Sequence, residues 1–390
     1  MKKQWLMYIL LMTVPAILML LLEYHQMYVI GHQTPDARVY ISIADNFVNT
    51  GHFIQCERPV EGMVVSPGLP FILTLFRLLH FNNGMIIAIQ ILMFGFANIL
   101  LYETERTITG KGLWAPIIYT MAYLRCWIML GDMLVEHYYL FLLCLAIWLV
   151  YRQMGKRKKL ILLNITGLAM MLVRPLLAVV YITVLTYSLI WLLKEKNIKS
   201  AAGLLLLPLV ILSINTAVNY RETGEFILLE NYSGSDMYTA SRIGSPVKIE
   251  EAEKYDQDEK FISIVSDPSL TMTQRNDEFK KLTRENLKDH FFLYVGNGLR
   301  RGFEIIIWAY AGAALYTFAG GILLARKEIT GGEKRSLLVL ILTVLIAGMS
   351  SFGVSELRYS IVIWPAASIH GAFLTALLAE KLKNRLKSLN

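Results

Sequence analysis

Cysteine is scarce in this sequence. The 390 residues contain three, Cys56, Cys126 and Cys144. The number is odd and two of them lie in apolar stretches, so neither a disulfide framework nor a cysteine-based metal site follows. Charge is scarce as well. Asp, Glu, Lys and Arg make up 17% of the chain, against about 25% in soluble domains. That shortfall excludes the soluble domains that the length alone would suggest. The chain also lacks an internal repeat, a low-complexity tract and a glycine-rich loop that could cradle a nucleotide phosphate. His25, His32, His80, His137, His290 and His370 show no metal-ligand spacing.

What the sequence has in abundance is apolar residues, 55% of the total, with a mean hydropathy of +0.48. The 38 basic and 30 acidic residues leave a net charge of +8. In a soluble protein such a surplus points to nucleic acid, but in a membrane protein the position of the charges decides. The first apolar stretch, 5–22, follows Lys2 and Lys3 and ends in Glu23-Tyr24-His25-Gln26. With no small-residue cleavage site, it reads as a retained signal-anchor helix.

A spanning helix needs roughly 20 apolar residues. The stretches 5–22, 84–102, 112–130, 137–151, 160–174, 176–193, 200–218, 302–325, 336–354 and 359–379 qualify as spans. Another apolar stretch, 67–79, opens with Pro67-Gly68-Leu69-Pro70 and contains Arg77. Its length of about 13 residues suits an interfacial or re-entrant segment. Cytoplasmic loops accumulate Lys and Arg, and this rule decides the case. If 67–79 does not cross, segments 1–4, 103–111, 152–159, 194–199, 326–335 and 380–390 share one side. They hold 20 basic and 6 acidic residues, net +14, while the rest of the chain nets −6. If it did cross, the run Arg152, Lys156, Arg157, Lys158, Lys159 would move outside. Ten spans with both termini cytoplasmic are therefore expected, in an all-α polytopic membrane protein. Two large external segments remain, 23–83 and 219–301. The second is polar and reads as a small helical domain, with amphipathic helices over 248–264 and 272–294.

The isolated charges near helix ends fall on the external side: Asp36, Arg125, Asp132, Glu136, Arg174, Glu356 and Arg358. Ionisable groups at membrane depth are expensive and face a cavity or a partner; interfacial snorkelling and structural pairing are the bland alternative. In the first external segment, Pro35 precedes Asp36, and Val39, Tyr40, Ile43, Ala44 and Phe47 form a stripe at helical spacing. Gly51 is a helix stop. The pattern predicts an amphipathic helix along the outer membrane surface, either a plain interfacial anchor or a carrier of Asp36 as a general base at a polar cavity. Asp132 and Glu136 are four residues apart, one helical turn, so both could face one cavity. Two carboxylates alone are a weak metal signal.

These residues carry a resemblance. The Asp36, Tyr40, Ala44 spacing on a helix after the first span resembles the GT-C glycosyltransferases, the group that includes protein O-mannosyltransferases and the aminoarabinose transferase of lipid A (glycosyltransferase family 39-like). Ser66-Pro67-Gly68-Leu69-Pro70 is similar to that group's Pro-Gly-Tyr-Pro segment, with Leu69 in place of the aromatic residue. Gly131-Asp132 through Glu136 resembles the second acidic motif, and Leu172-Val173-Arg174-Pro175 the arginine motif at the end of span five. Asn219-Tyr220-Arg221 through Phe226, followed by Ser233-Gly234, resembles the segment leaving span seven. Glu356-Leu357-Arg358-Tyr359 resembles the arginine–tyrosine pair before the last span. Six motifs in family order cover nearly the whole chain, which lacks the additional C-terminal spans or soluble domain of the longer members.

The resemblance implies a GT-C-like fold. Residues 1–218 would form an N-terminal transmembrane module with a catalytic loop at 23–83, residues 219–301 an external loop domain, and residues 302–390 a C-terminal transmembrane module. It implies transfer of a sugar from a polyprenyl-phosphate donor to an extracytoplasmic glycan, lipid or protein acceptor, with inversion. Asp36 would be the general base, Asp132 and Glu136 the sugar or cavity carboxylates, and Arg174, Arg358 and Tyr359 the lipid-phosphate ligands. Arg38, Tyr40, His52 and Glu61 are second-tier acceptor-site candidates. No cofactor is obligate and a divalent cation is optional. The partners would be the lipid donor, the acceptor and the bilayer, with no nucleic acid. Two rivals stay open, a lipid or glycan transporter or flippase and a polyprenyl-linked glycan ligase or polymerase.

Overall fold

The structure is a computed structural model of the chain. It describes residues 2–25, 35–54, 64–110, 112–125, 133–230, 233–242, 259–325, 331–350 and 361–389. Every described element is helical. In chain order they are α1 (Lys2–His25), α2 (Pro35–Thr50), α3 (Gly68–Leu78), α4 (Asn83–Thr109), α5 (Trp114–Arg125), α6 (Val135–Tyr151), α7 (Lys156–Val173), α8 (Ala178–Lys194, entered through a 3-10 turn at Pro175–Leu177), α9 (Ile198–Thr223), α10 (Ser233–Ser241), α11 (Glu259–Ser266), α12 (Met272–Ala325), α13 (Gly331–Ser350) and α14 (Trp364–Leu389).

Five described helices are long and apolar enough to cross a membrane: Gln4–Leu21, Asn83–Thr109, Pro175–Lys194, Ile198–Thr223 and Ile361–Asn384. The chain is thus an all-α membrane protein. The helices are locally specified. Asn82 caps α4 by accepting the Met85 N–H at 2.9 Å, and Gly110 ends it at φ +73°, a left-handed conformation that glycine adopts without strain. Gly224 ends α9 in the same way at φ +74°. By contrast α3, with 11 residues, is about 16 Å long, roughly half the hydrocarbon thickness. Its Arg77 donates to Asp45 Oδ1 of α2 at 2.7 Å and to the Phe81 carbonyl at 2.8 Å.

The main core joins α2 to α6 with Met19 of α1, Met170 and Val173 of α7, Leu340 and Ala347 of α13, and the start of α14. The first half of α14 is its centre; Trp364, Ala367 and His370 there are fully buried. At the periphery, α1, α8 and α9 turn Leu6, Leu21, Ile182, Leu206, Leu209 and Ile214 outward, a surface that suits lipid and not water. Polar side chains tie the helices inside. Asn98 of α4 accepts from Thr120 of α5 at 3.0 Å, and Asn164 of α7 donates to Ser188 of α8 at 2.7 Å. Glu105, buried on α4, accepts the Ala115 N–H of α5 at 2.8 Å, capping one helix from its neighbour.

Two findings refine the sequence reading. The apolar stripe of α2 packs into the protein, with Ala37, Tyr40, Ile43 and Ala44 buried, so it does not lie bare on the membrane surface. The helix expected over 272–294 and the span expected over 302–325 are one continuous helix, α12, of 54 residues, so position 301, where the external domain was expected to end, falls inside it. Of the helix expected over 248–264, residues 248–258 lie outside the described residues and 259–266 form α11.

Candidate functional site

Asp36 sits in the first turn of α2, one residue after Pro35, whose fixed φ suits a helix start. It is half-buried, Tyr40 one turn later is buried, and Arg38 between them is exposed. The helix ends at Gly51, φ +77°, as its sequence predicts. The next residues are held by the end of α9. His52 Nδ1 meets Glu222 Oε2 at 2.9 Å, and an Arg221 guanidinium N–H donates to the Gly51 carbonyl at 2.7 Å. Asn46 holds the same strap from the other side, donating to the carbonyls of His52 and Ile54 at 3.1 and 2.9 Å. Ser66 donates to Glu230 at 2.6 Å. Residues 51–54 and Ser66 are thus fastened to the segment 221–230.

Gly68 makes the closest approach. A β-carbon on it would stand 2.7 Å from the backbone C and O of Leu172 and the N of Val173. No side chain fits there, and α3 therefore docks directly on the C-terminal end of α7. Arg174 follows as the cap of α7 in extended conformation, φ −142° and ψ 104°, and Pro175 opens the 3-10 turn. The Pro-Gly-Leu-Pro segment and the arginine motif, more than a hundred residues apart in sequence, are neighbours in space.

Glu136 lies in the first turn of α6 and is 2% exposed, and neither carboxylate oxygen has a hydrogen-bond partner. Its neighbour His137 bonds the Tyr123 hydroxyl through Nδ1. Helix α6 begins at Val135, with Leu134 extended at φ −100°, ψ 158°. No helical turn therefore carries Glu136 back to Asp132, and the spacing argument for a shared face fails because the chain is not helical between them. Asp132 itself lies outside the described residues, as do Glu61, Arg358 and Tyr359. Among the described residues no group of three His, Cys, Asp or Glu side chains could hold a metal, so the optional divalent cation has no assigned place there.

The sequence reading passed over Gln90, Tyr138 and Trp364, all buried with unpartnered polar atoms, and Glu222, which fastens the strap. Gln90 carried a signal, a polar amide in the middle of an apolar helix. Glu222 sat inside a motif already singled out. Just after α11, the Ser269 hydroxyl and backbone N–H hold the Asp267 carboxyl below its usual range. At the other end of the bundle, burial lowers the Lys159 ammonium, helped by the charge of Arg335 close by. Lys156 there lies over Trp191 at 4.8 Å. The chain matches no protein-family model, no curated protein and no solved structure.

Proposed function

We propose that the chain is a ten-span membrane glycosyltransferase that moves a sugar from a polyprenyl-phosphate carrier to an extracytoplasmic acceptor. The observation that carries the reading is the seating of Gly68 on Leu172 and Val173, because it joins two of the six resembling motifs at one end of the bundle. The proximity of Lys159 and Arg335 supports the topology with both termini cytoplasmic, which requires loops 152–159 and 326–335 to share a side. The shortness of α3 supports leaving 67–79 uncrossed.

In the reaction, the Asp36 carboxylate takes the proton of the acceptor hydroxyl as its oxygen attacks the anomeric carbon. The bond from that carbon to the phosphate oxygen breaks with its electron pair on the leaving polyprenyl phosphate. Attack on the face opposite the phosphate inverts the centre through an oxocarbenium-like state. Arg174 and Arg358 neutralise the departing phosphate, for which the forked guanidinium is suited. Labelled polyprenyl-phosphate sugar supplied to membranes containing the protein tests this. Asp36→Asn, expressed at the wild-type level, should lose transfer by about 10²–10⁴-fold, the worth of a general base. Transfer at the wild-type rate by Asp36→Asn refutes the mechanism.

A further inference from the structure

We propose that the edge of the bundle between α7 and α8 seats an anionic phospholipid, with its phosphate at Lys156 and Lys159 and an acyl chain along the outer face of α8. The proposal is independent of the transfer reaction and draws on the topology only for the leaflet, the cytoplasmic one, that supplies the lipid. Arg152 follows directly on α6, and Lys156, Arg157, Lys158 and Lys159 are the first four residues of α7. A helix disfavours cations in its first turn, where the macrodipole is positive. Charge bias alone can place such residues in a cytoplasmic loop, but it does not specify where their side chains go.

The side chains are seated. The Lys156 ammonium lies 4.8 Å from the centre of the Trp191 ring and 5.8 Å from that of Tyr187, one turn apart on α8. The Arg152 guanidinium lies 5.4 Å from the Trp148 ring of α6. Lys159, three residues after Lys156 and so its neighbour on the surface of α7, donates to the Val150 carbonyl at 3.0 Å. These contacts bring the end of α6, the start of α7 and the last turns of α8 to one edge. Arg335, near the start of α13, acts on Lys159 through its charge. Among the described residues, none of Arg152, Lys156, Arg157, Lys158, Lys159 and Arg335 forms an ion pair with a carboxylate. Like charges held together without a counter-ion repel, and an anion from outside the chain reverses the sign of the interaction.

The surface beside the cations decides which anion fits. Helix α8 is long and apolar enough to cross a membrane. Its Val179, Ile182, Ile190 and Leu193 are each at least 50% exposed and recur at helical spacing on one face. From Val179 to Leu193 that face is about 21 Å long, more than the roughly 15 Å of one leaflet's hydrocarbon. It ends at the turns that carry Tyr187 and Trp191, rings of the kind that sit at headgroup level. An acyl chain on this face therefore brings its phosphate to Lys156. A free phosphate would use the lysines and leave the face bare. Phosphatidylcholine would bring its own ammonium to meet them. A phospholipid with a net negative headgroup satisfies both the cations and the apolar face.

Titration calorimetry on the delipidated full chain in dodecyl maltoside, at fixed ionic strength, tests the proposal. The probes are dioctanoyl phosphatidylglycerol, dioctanoyl phosphatidylcholine and inorganic phosphate. Phosphatidylglycerol should bind about tenfold or more tightly than either of the others, the worth of two cations beside an anionic headgroup. The double variant Lys156→Gln, Lys159→Gln should lose that preference. Arg335→Gln, on another helix, should weaken it about fivefold, and this single change keeps the test open should the double variant not fold. The control, Lys381→Gln with Lys383→Gln, removes two exposed charges from the far end of α14 and should keep the preference. Four results overturn the assignment: no preference in the wild type, a preference unchanged by the substitutions at positions 156, 159 and 335, an equal loss in the control, which would mean a diffuse field, or inorganic phosphate binding as tightly as the lipid.

Discussion

Gly68→Ala adds one methyl group and should disable the protein. The new carbon would lie 2.7 Å from Leu172 C and O and from Val173 N. Carbon contacts are most favourable at about 3.5–4.0 Å, so α3 must retreat from α7 by about 1 Å. All three obstructing atoms are backbone, held by the Arg174 N–H to Met170 carbonyl bond at 2.8 Å and by the 3-10 turn behind it. No side chain can rotate away. Overpacking of this kind costs about 1–3 kcal/mol. If Arg174 holds the leaving phosphate, a displacement of about 1 Å beside it should also lower transfer about a hundredfold. The control is Gly203→Ala on α9, where a β-carbon meets nothing within 4 Å and alanine favours the helix by about 0.5–1 kcal/mol. Thermal unfolding of the purified variants, followed by tryptophan fluorescence, reads the first effect and the labelled-donor assay the second. A Gly68→Ala protein that melts and transfers like the wild type refutes the reasoning about this contact.

Other perturbations separate the fastenings of the site. Arg77→Met removes the bonds to Asp45 and the Phe81 carbonyl; with Asp45 nearly half exposed, solvent screening holds the loss to about 1 kcal/mol, read as a lower melting temperature that Asp45→Asn should reproduce in part. Glu222→Ala should release Arg221 and the strap at 51–54, so that trypsin cleaves after Arg221 faster than in the wild type; an unchanged cleavage rate contradicts the fastening. Ser269→Ala should return the Asp267 carboxyl toward its usual range in a carbon-13 NMR titration. The sign follows from the direction of the shift. A carboxyl whose folded value is lowered adds stability above its unfolded pKa and loses it as pH falls through the folded value, so the wild type and Ser269→Ala should converge at low pH.

Local signals carried the parts of the fold that were legible. Pro35 before Asp36, Gly51 after Thr50, Arg174 before Pro175 and Gly224 after α9 are start and stop signals that act over one turn, and the helices obey them. The restriction of 67–79 to a short helix followed from counting apolar residues against bilayer thickness. Partnership across the chain was not legible. Hydropathy treats α1 and α14 alike, although α1 turns most of its surface outward while the first half of α14 is enclosed by protein, because apolar side chains suit either. The stripe on α2 is the same ambiguity at smaller scale. The spacing of Asp132 and Glu136 assumed a helix that begins only at Val135. Gln90, Tyr138 and Trp364 come from three helices, and their burial depends on packing that no window of sequence contains.

The length of α12 has a mechanical consequence. On the proposed topology residues 302–325 cross the bilayer, and residues 272–301 continue the same rod beyond it for about 45 Å. Helix α10 rides on that outer arm, with the Gly234 N–H on Asn276 at 2.7 Å, and Glu225, just past α9, accepts from the Thr273 N–H at 2.8 Å. A rigid lever of this proportion magnifies motion. A tilt of about 10° at the membrane moves its tip by about 8 Å over that length. Changes in bilayer thickness would then reach the external segment as displacement of α10 against the end of α9, beside the strap that carries His52.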